Sequence, residues 1–357
     1  MAGYPVSRLL IAILLVAGSS TAPAEGDFFR WLAFGDSITL GNYDSPNLGG
    51  YPGRLNDLLS CSPGVCEVFN AGKSGEKTYQ AVSRIDSVLD DDGPFDVMML
   101  MEGTNDIFVE YPVENAIANL GFIAWKARAR GTDTVHASII WYHPDGHYGT
   151  TKDDEVEAIR DGAENLASIN VRYFVDIWDV LCPRSHPDVH GHNQTQCFNQ
   201  HYSDVPNGDD RGHPIGSGYT MMANAFRDGL LSVPLPGAPV PLGPTGTINE
   251  ERPRFSWDPE SPVRATWYQL VVEGDAGVVV DKWLEARSNC GGTFCSYSLS
   301  VQEALTSGDY VWRLQGRNPA GDGPWTADIA ITVDFDAIFS DGFESGDTAA
   351  WSEQQSN

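Results

Sequence analysis

The chain has 357 residues, 41% of them hydrophobic, and a formal net charge of −27. That length accommodates roughly two or three domains with buried cores. So acidic a surface repels nucleic acid and anionic membrane, which sets both aside as partners.

Residues 1–24 read as a secretory signal peptide. Arg8 supplies the positive start, Leu9 to Ala17 the apolar run, and Ala22-Pro23-Ala24 the small-residue cleavage site. An exported protein, extracellular or periplasmic, is therefore expected. No later stretch is long enough to span a bilayer, so no transmembrane anchor is expected. The cysteines fall into close couples: Cys61 and Cys66, Cys182 and Cys197, Cys290 and Cys295. In an exported chain these are disulfide candidates, with local pairing the simplest connectivity. No C-x-x-C pair supports a zinc site.

Trp31 to Phe34 is a short apolar run ending in Gly35-Asp36-Ser37. It predicts a buried strand that delivers a serine to its C-terminal edge, where open α/β sheets bind ligands. A helix is predicted near Tyr51 to Leu59, a strand over Val65 to Phe69, and a helix from Thr78 carrying Ala81, Val82, Ile85, Val88 and Leu89 inward. Phe95 to Met101 is the clearest buried strand and runs into Glu102-Gly103-Thr104-Asn105-Asp106. Residues 112–130 predict a long helix, Val135 to Trp141 a strand, 153–168 a helix, and Arg172 to Val180 a fifth strand. A long polar loop leads to His213, and a last helix covers Gly218 to Leu231. The alternation of strand and helix predicts a parallel α/β sheet with helices on both faces, over 25–232.

Residues 233–245 are proline-rich and read as a stiff linker. Beyond it the apolar period is two: Tyr268, Leu270, Val272; Tyr310, Trp312, Leu314; Ile329, Ile331, Val333. A small C-terminal β-sandwich over 246–335 is expected. The acidic, Gly/Ser-rich tail, 336–357, is expected to be mobile.

A serine hydroxyl is a poor nucleophile unless a base lies within hydrogen-bond reach. His213 suits that task, since an unperturbed imidazole titrates near neutrality. Asp210, one turn earlier, can accept from its other ring nitrogen; Asp209 competes for that role. The blocks Gly35-Asp36-Ser37, Asn70-x-Gly72-x-x-Gly75-x-x-Thr78, Gly103-x-Asn105-Asp106 and Asp210-x-x-His213-Pro214 come in that order, at strand ends or before the last helix. Together they resemble the GDSL or SGNH hydrolases, over roughly 29–232.

That resemblance implies a flavodoxin-like sheet and a serine esterase or lipase with no metal or organic cofactor. It implies a Ser37, Asp210, His213 triad working through an acyl-enzyme. It assigns the oxyanion hole to the backbone N–H groups of Ser37 and Gly75 and the side-chain amide of Asn105. Family spacing favours Asp210 over Asp209. Each residue also has a plainer reading: Ser37 and Asn105 as turn residues, Gly75 as a positive-φ hinge, and His213 as part of a surface turn. Asp36, Thr104 and Asp106 are expected to hold loops, and Glu102 to be a buried structural acid. Ile215 departs from the small polar residue often found after the family's His-Pro.

The segment between Cys182 and His213 carries His186, His190, His192 and His201 in no standard metal spacing. It is expected to be a solvated loop bordering the mouth of the site. The C-terminal module resembles a fibronectin type III domain through Phe255-Ser-Trp257, Trp267-Tyr268, Gly308-Asp-Tyr310-Val-Trp312 and Gly323-Pro-Trp325. Such a domain is a spacer or binder, here with polysaccharide or a cell surface as the candidate contact. Its tryptophans are expected in its core rather than on sugar rings. The tail around Phe339, Phe343 and Trp351 resembles a terminal motif of some secreted bacterial proteins, with sorting as its candidate role.

The expected substrate is a small-molecule, lipid or acetylated-carbohydrate ester. The competing functions are a secreted adhesion or binding protein with an inactive hydrolase-like domain, and an O-acyltransferase.

Overall fold

The computed structural model describes residues 29–61, 66–140, 152–169, 173–181, 213–232, 234–259, 265–291 and 294–335. Its first strands are β1 (Phe29–Gly35), β2 (Cys66–Gly72), β3 (Val97–Met101), β4 (Asp133–Ala137) and β5 (Phe174–Val175). They form one sheet in the order β2-β1-β3-β4-β5, and every pairing is parallel. Helices α1 (Ser37–Leu40), α2 (Gly50–Leu58), α3 (Thr78–Ser87), α4 (Thr104–Phe108), α5 (Val113–Ala129), α6 (Asp153–Ile169), α7 (Ile177–Leu181) and α8 (Gly216–Leu231) flank it. α8 packs on α2 and α7, while α5 packs on α3 and α6.

A parallel strand covered on both faces must be apolar throughout rather than alternating. β3 obeys this completely, with Val97, Met98, Met99, Leu100 and Met101 all buried. β1 is buried from Trp31 to Gly35. The chain leaves β1 for β2 on one side, then returns across β1 to β3 on the other. This reversal of strand order opens a crevice beyond the carboxyl ends of β1 and β3, and Ser37 and Asn105 follow those two strands.

The turn out of β1 is tight. A Cβ on Gly35 would lie 2.2 Å from the Thr39 hydroxyl and 2.3 Å from the Met101 carbonyl, so only glycine fits there. The α3 apolar stripe continues through a π-helical turn at Val88–Asp92, burying Val88 and Leu89 before Gly93-Pro94 ends it.

The fifth strand is shorter than its sequence predicts. Among the described residues Phe174–Val175 pair with β4, and α7 begins at Ile177. Asp176 interrupts the strand: its side chain accepts the Asp179 N–H at 3.2 Å, an N-cap that starts the helix. Ile177, Trp178 and Leu181 are then buried on one helical face. β4 likewise stops at Ala137, although Ile139 and Ile140 stay buried.

The C-terminal region holds two further sheets. β6 (Val240–Gly243), β8 (Arg254–Asp258), β11 (Cys290–Gly291) and β12 (Phe294–Ser298) form one, in the order β11-β12-β8-β6. β7 (Gly246–Ile248), β9 (Trp267–Gly274), β10 (Gly277–Glu285), β13 (Gly308–Asn318) and β15 (Ile329–Val333) form the other, in the order β10-β9-β13-β15-β7, with β14 (Gly321–Trp325) paired to β13. Their inward side chains share one apolar cluster that includes Phe255, Trp257, Leu270, Val272, Trp312 and Leu314. Trp257 and Trp312 are therefore core residues. Val240–Gly243, which composition places in the linker, pairs with β8 as an edge strand, where proline is tolerated.

Two disulfides lie among the described residues, Cys61–Cys66 and Cys290–Cys295. The Cys182 and Cys197 couple, residues 1–24 and the tail lie outside them. Among the described residues no helix is long and apolar enough to cross a membrane.

The two regions meet at the end of the parallel sheet opposite Ser37. Arg287, in α9 (Ala286–Asn289), donates to the Phe95 carbonyl at 2.9 Å just before β3, and packs against Gly131 just before β4. The crevice beyond β1 and β3 is left uncovered by this contact.

Candidate active site

Ser37 is the first residue of α1, immediately beyond β1. Its hydroxyl lies 2.8 Å from His213 Nε2, although the two residues are 176 positions apart. Several bonds bring these segments together. The Tyr219 hydroxyl of α8 donates to the Asn42 carbonyl at 2.7 Å. Arg54 of α2 reaches Thr220 of α8 at 3.0 Å, and its guanidinium pairs with buried Asp44. Burial opposes the Asp44 charge. Arg54 and the Gly50 and Leu48 N–H groups outweigh it and hold the carboxyl below its usual range. The Tyr43 ring sits 5.0 Å from the imidazole, centroid to centroid.

The loop after β2 forms the next wall. The Lys73 N–H bonds the Gly35 carbonyl at 2.9 Å, tying the start of this loop to the end of β1. Thr78 anchors its far end: Asp106 accepts the Thr78 N–H at 2.9 Å and the Thr78 hydroxyl at 2.6 Å. Between them Gly75 has φ +72°, and a Cβ placed there would meet no atom within 4 Å. The backbone at Gly75 is thus open on the side where a side chain would stand. Glu76 is buried beneath it and paired with Arg84 and Lys73.

Asn105 stands in the first turn of α4. Its side-chain Nδ2 donates to Asp36 Oδ2 at 3.3 Å. The other Asp36 oxygen accepts the Ile38 N–H at 2.9 Å and so caps α1. Asp36 therefore links α1, which Ser37 begins, to Asn105. Burial pushes its pKa up to about 6, against the opposing pull of the Ile38 N–H, the nearby His213 and the Thr104 side chain. Glu102 is fully enclosed below, with no hydrogen-bond partner for either oxygen among the described residues. Burial and then the neighbouring Asp36, Glu76 and Asp106 charges push its pKa well up. It is a buried acid that favours its neutral form.

Ser37, Gly75, Asn105 and His213 thus stand in the segments that border one sheet edge. Asp209 and Asp210 lie outside the described residues, as do His186, His190, His192 and His201. Among the described residues no group of three His, Cys, Asp or Glu side chains is placed to hold a metal ion. The sequence alone did not reveal the Tyr43 contact or the Asp36 link to Asn105. An Asp before a helix start is a readable cap, but its second oxygen's partner, 69 residues away, is not.

Chemically, a serine hydroxyl bonded to an imidazole can be deprotonated as it attacks, and nearby N–H donors can receive the oxyanion. No curated protein matches the chain. Among solved structures it is similar to a lipolytic protein of the G-D-S-L family from Veillonella parvula, with 19% identity, 55% of this chain and 95% of that one covered, and a TM-score of 0.44. An acetylxylan esterase from Geobacillus stearothermophilus matches at 19% identity, covering 57% and 94%, with a TM-score of 0.43. A psychrotrophic esterase from Pseudoalteromonas matches at 18% identity, covering 56% and 95%, with a TM-score of 0.41. Residues 33–221, more than half of the chain, match the GDSL-like lipase/acylhydrolase family, and the chain belongs to that family of ester hydrolases.

Proposed function

We propose that this protein is an exported serine esterase acting through a Ser37, Asp210, His213 triad. The observation that carries the reading is the 2.8 Å bond between Ser37 Oγ and His213 Nε2. His213 takes the hydroxyl proton as Ser37 attacks the ester carbonyl. The tetrahedral oxyanion is received by the N–H groups of Ser37 and Gly75 and the Asn105 amide. His213 returns the proton to the leaving alcohol, which leaves an acyl group on Ser37. Water, deprotonated by His213, then releases the acid. Asp210 fixes the imidazole tautomer and stabilises the imidazolium.

The open Gly75 backbone and the Asn105 amide at the same edge support the oxyanion assignment. We read residues 25–232 as the catalytic domain, 233–239 as the linker and 240–335, which include the Val240–Gly243 edge strand, as a fibronectin type III-like sandwich. The shared apolar cluster of the two C-terminal sheets supports the last reading. The signal-like residues 1–24 support export.

Hydrolysis of p-nitrophenyl esters of rising chain length, for wild type beside Ser37→Ala, tests the activity. Turnover by the wild type with loss of at least about a thousandfold in the variant is expected. Equal turnover by both proteins would refute the assignment. The chain-length optimum separates a short-chain esterase from a lipase.

A further inference from the structure

An oxyanion-hole amide works only if its nitrogen, rather than its oxygen, faces the reacting carbonyl. The two ends of an asparagine side chain have nearly the same shape, so packing alone barely distinguishes them. Something must select the donor end. Asp36 is placed to do so: 1% exposed, one oxygen on the Ile38 N–H, the other on Asn105 Nδ2.

We propose that Asp36 is a positioning residue whose carboxylate fixes the orientation of the Asn105 amide. The inference rests on the reading of Asn105 as an oxyanion donor. An ionised carboxylate only accepts hydrogen bonds, so it admits the NH₂ end of Asn105 and rejects the carbonyl end. One Nδ2 hydrogen goes to Asp36 Oδ2 and the second remains for the substrate. In the flipped amide, oxygen would face both Asp36 and the oxyanion, two negative charges. The same carboxylate caps α1, so nucleophile and oxyanion donor take their positions from one buried group. The charged and titratable groups facing it include His213, Asp106, Glu102 and the buried Tyr51, and the Thr104 side chain favours its ionised form.

Asp36→Asn separates this role from simple capping. Asparagine is as good an N-cap as aspartate, and its oxygen can keep the Ile38 N–H. Its NH₂ group then confronts the Asn105 NH₂ group, donor against donor, and drives the Asn105 amide to flip, so that its oxygen accepts from the introduced amide and replaces the donor facing the oxyanion. The kcat of Asp36→Asn is expected to fall about a hundredfold, comparable with loss of one oxyanion donor. KM should stay within about threefold and the melting temperature close to that of the wild type.

A double-mutant cycle with Asn105→Ala locates the effect. Asn105→Ala alone should lose a similar factor, and the double variant should lose no more than Asn105→Ala. Two results overturn the proposal: Asp36→Asn keeping kcat while Asn105→Ala loses it, or the two losses multiplying in the double variant. If Asn105→Ala keeps full kcat, the oxyanion reading falls and this inference with it. Should Asp36→Asn fail to fold, Asp36→Ser enters the same cycle. Its hydroxyl can cap α1 but leaves the Asn105 amide without its acceptor, so the same non-additivity is expected and its absence overturns the proposal.

Discussion

At Gly75 the open space is informative because it has two consequences with different sizes. An alanine there meets no neighbour, yet must hold φ +72°, which costs about 1–2 kcal/mol for an L-residue. Its methyl also occupies open space next to the backbone N–H that the proposed mechanism brings to the ester carbonyl. Gly75→Ala is therefore predicted to fold, with a melting temperature lowered by several degrees, and to lose at least about tenfold in kcat/KM. Unchanged kinetics in a folded variant would remove Gly75 from the oxyanion hole. Gly35→Ala behaves differently, because its Cβ would collide with Thr39 and the Met101 carbonyl. The residue types at these positions were readable from sequence, since Gly, Ser and Asn at successive strand ends form a pattern. The pairing of Asp36 with Asn105 was not, because hydrogen-bond partners across 69 residues depend on how two loops meet in space.

Among elements, the site depends on tethers rather than on any one strong helix. α1 and α4 have four and five residues, too few to be stable alone. α1 is held by the Asp36 cap, and the Thr78–Asp106 bonds tie α4 to the start of α3. α8 carries no catalytic group itself, but its Tyr219 and Thr220 contacts bring His213 over Ser37. The long, periodic elements were legible: α5, α6 and β3 begin or end within two residues of their predicted limits. The failures occurred where a polar side chain redirected the backbone. Asp176 turned a predicted strand into a helix start, although Val175 and Ile177 fit a two-residue period. Val240–Gly243 looked like linker because its prolines outweighed its edge-strand pairing. Local composition carries neither effect, since each depends on a partner elsewhere in the chain.

At the scale of the whole molecule, the two regions are joined around a buried acid. Asp96 precedes β3, accepts the Arg30 N–H at 2.8 Å, and lies beside Arg287, Glu285 and Trp267 of the C-terminal region. Burial pushes its pKa up to about 6, against the Arg30 N–H and the Arg287 charge. The folded state thus binds this proton more tightly than the unfolded state, whose carboxyl titrates near its usual value. Stability from this group is highest in acid and declines as pH rises from about 4 to about 6, after which it levels. The shift corresponds to at most about 3 kcal/mol. Asp96→Asn is predicted to flatten this part of the stability–pH profile and to melt higher than wild type at pH 8. Parallel profiles would show that the junction does not hold Asp96 in this state. Because the junction lies at the far end of the sheet from Ser37, the variant should keep wild-type kcat and KM.

The central claim is that turnover passes through an acyl group on Ser37. Rapid acid quenching during hydrolysis of a p-nitrophenyl ester, followed by peptide mass analysis, tests it most directly. The account predicts an acyl adduct on the peptide containing Ser37, formed with a burst of p-nitrophenol and absent from Ser37→Ala. Steady turnover with no adduct, and the same rate in Ser37→Ala, would contradict it.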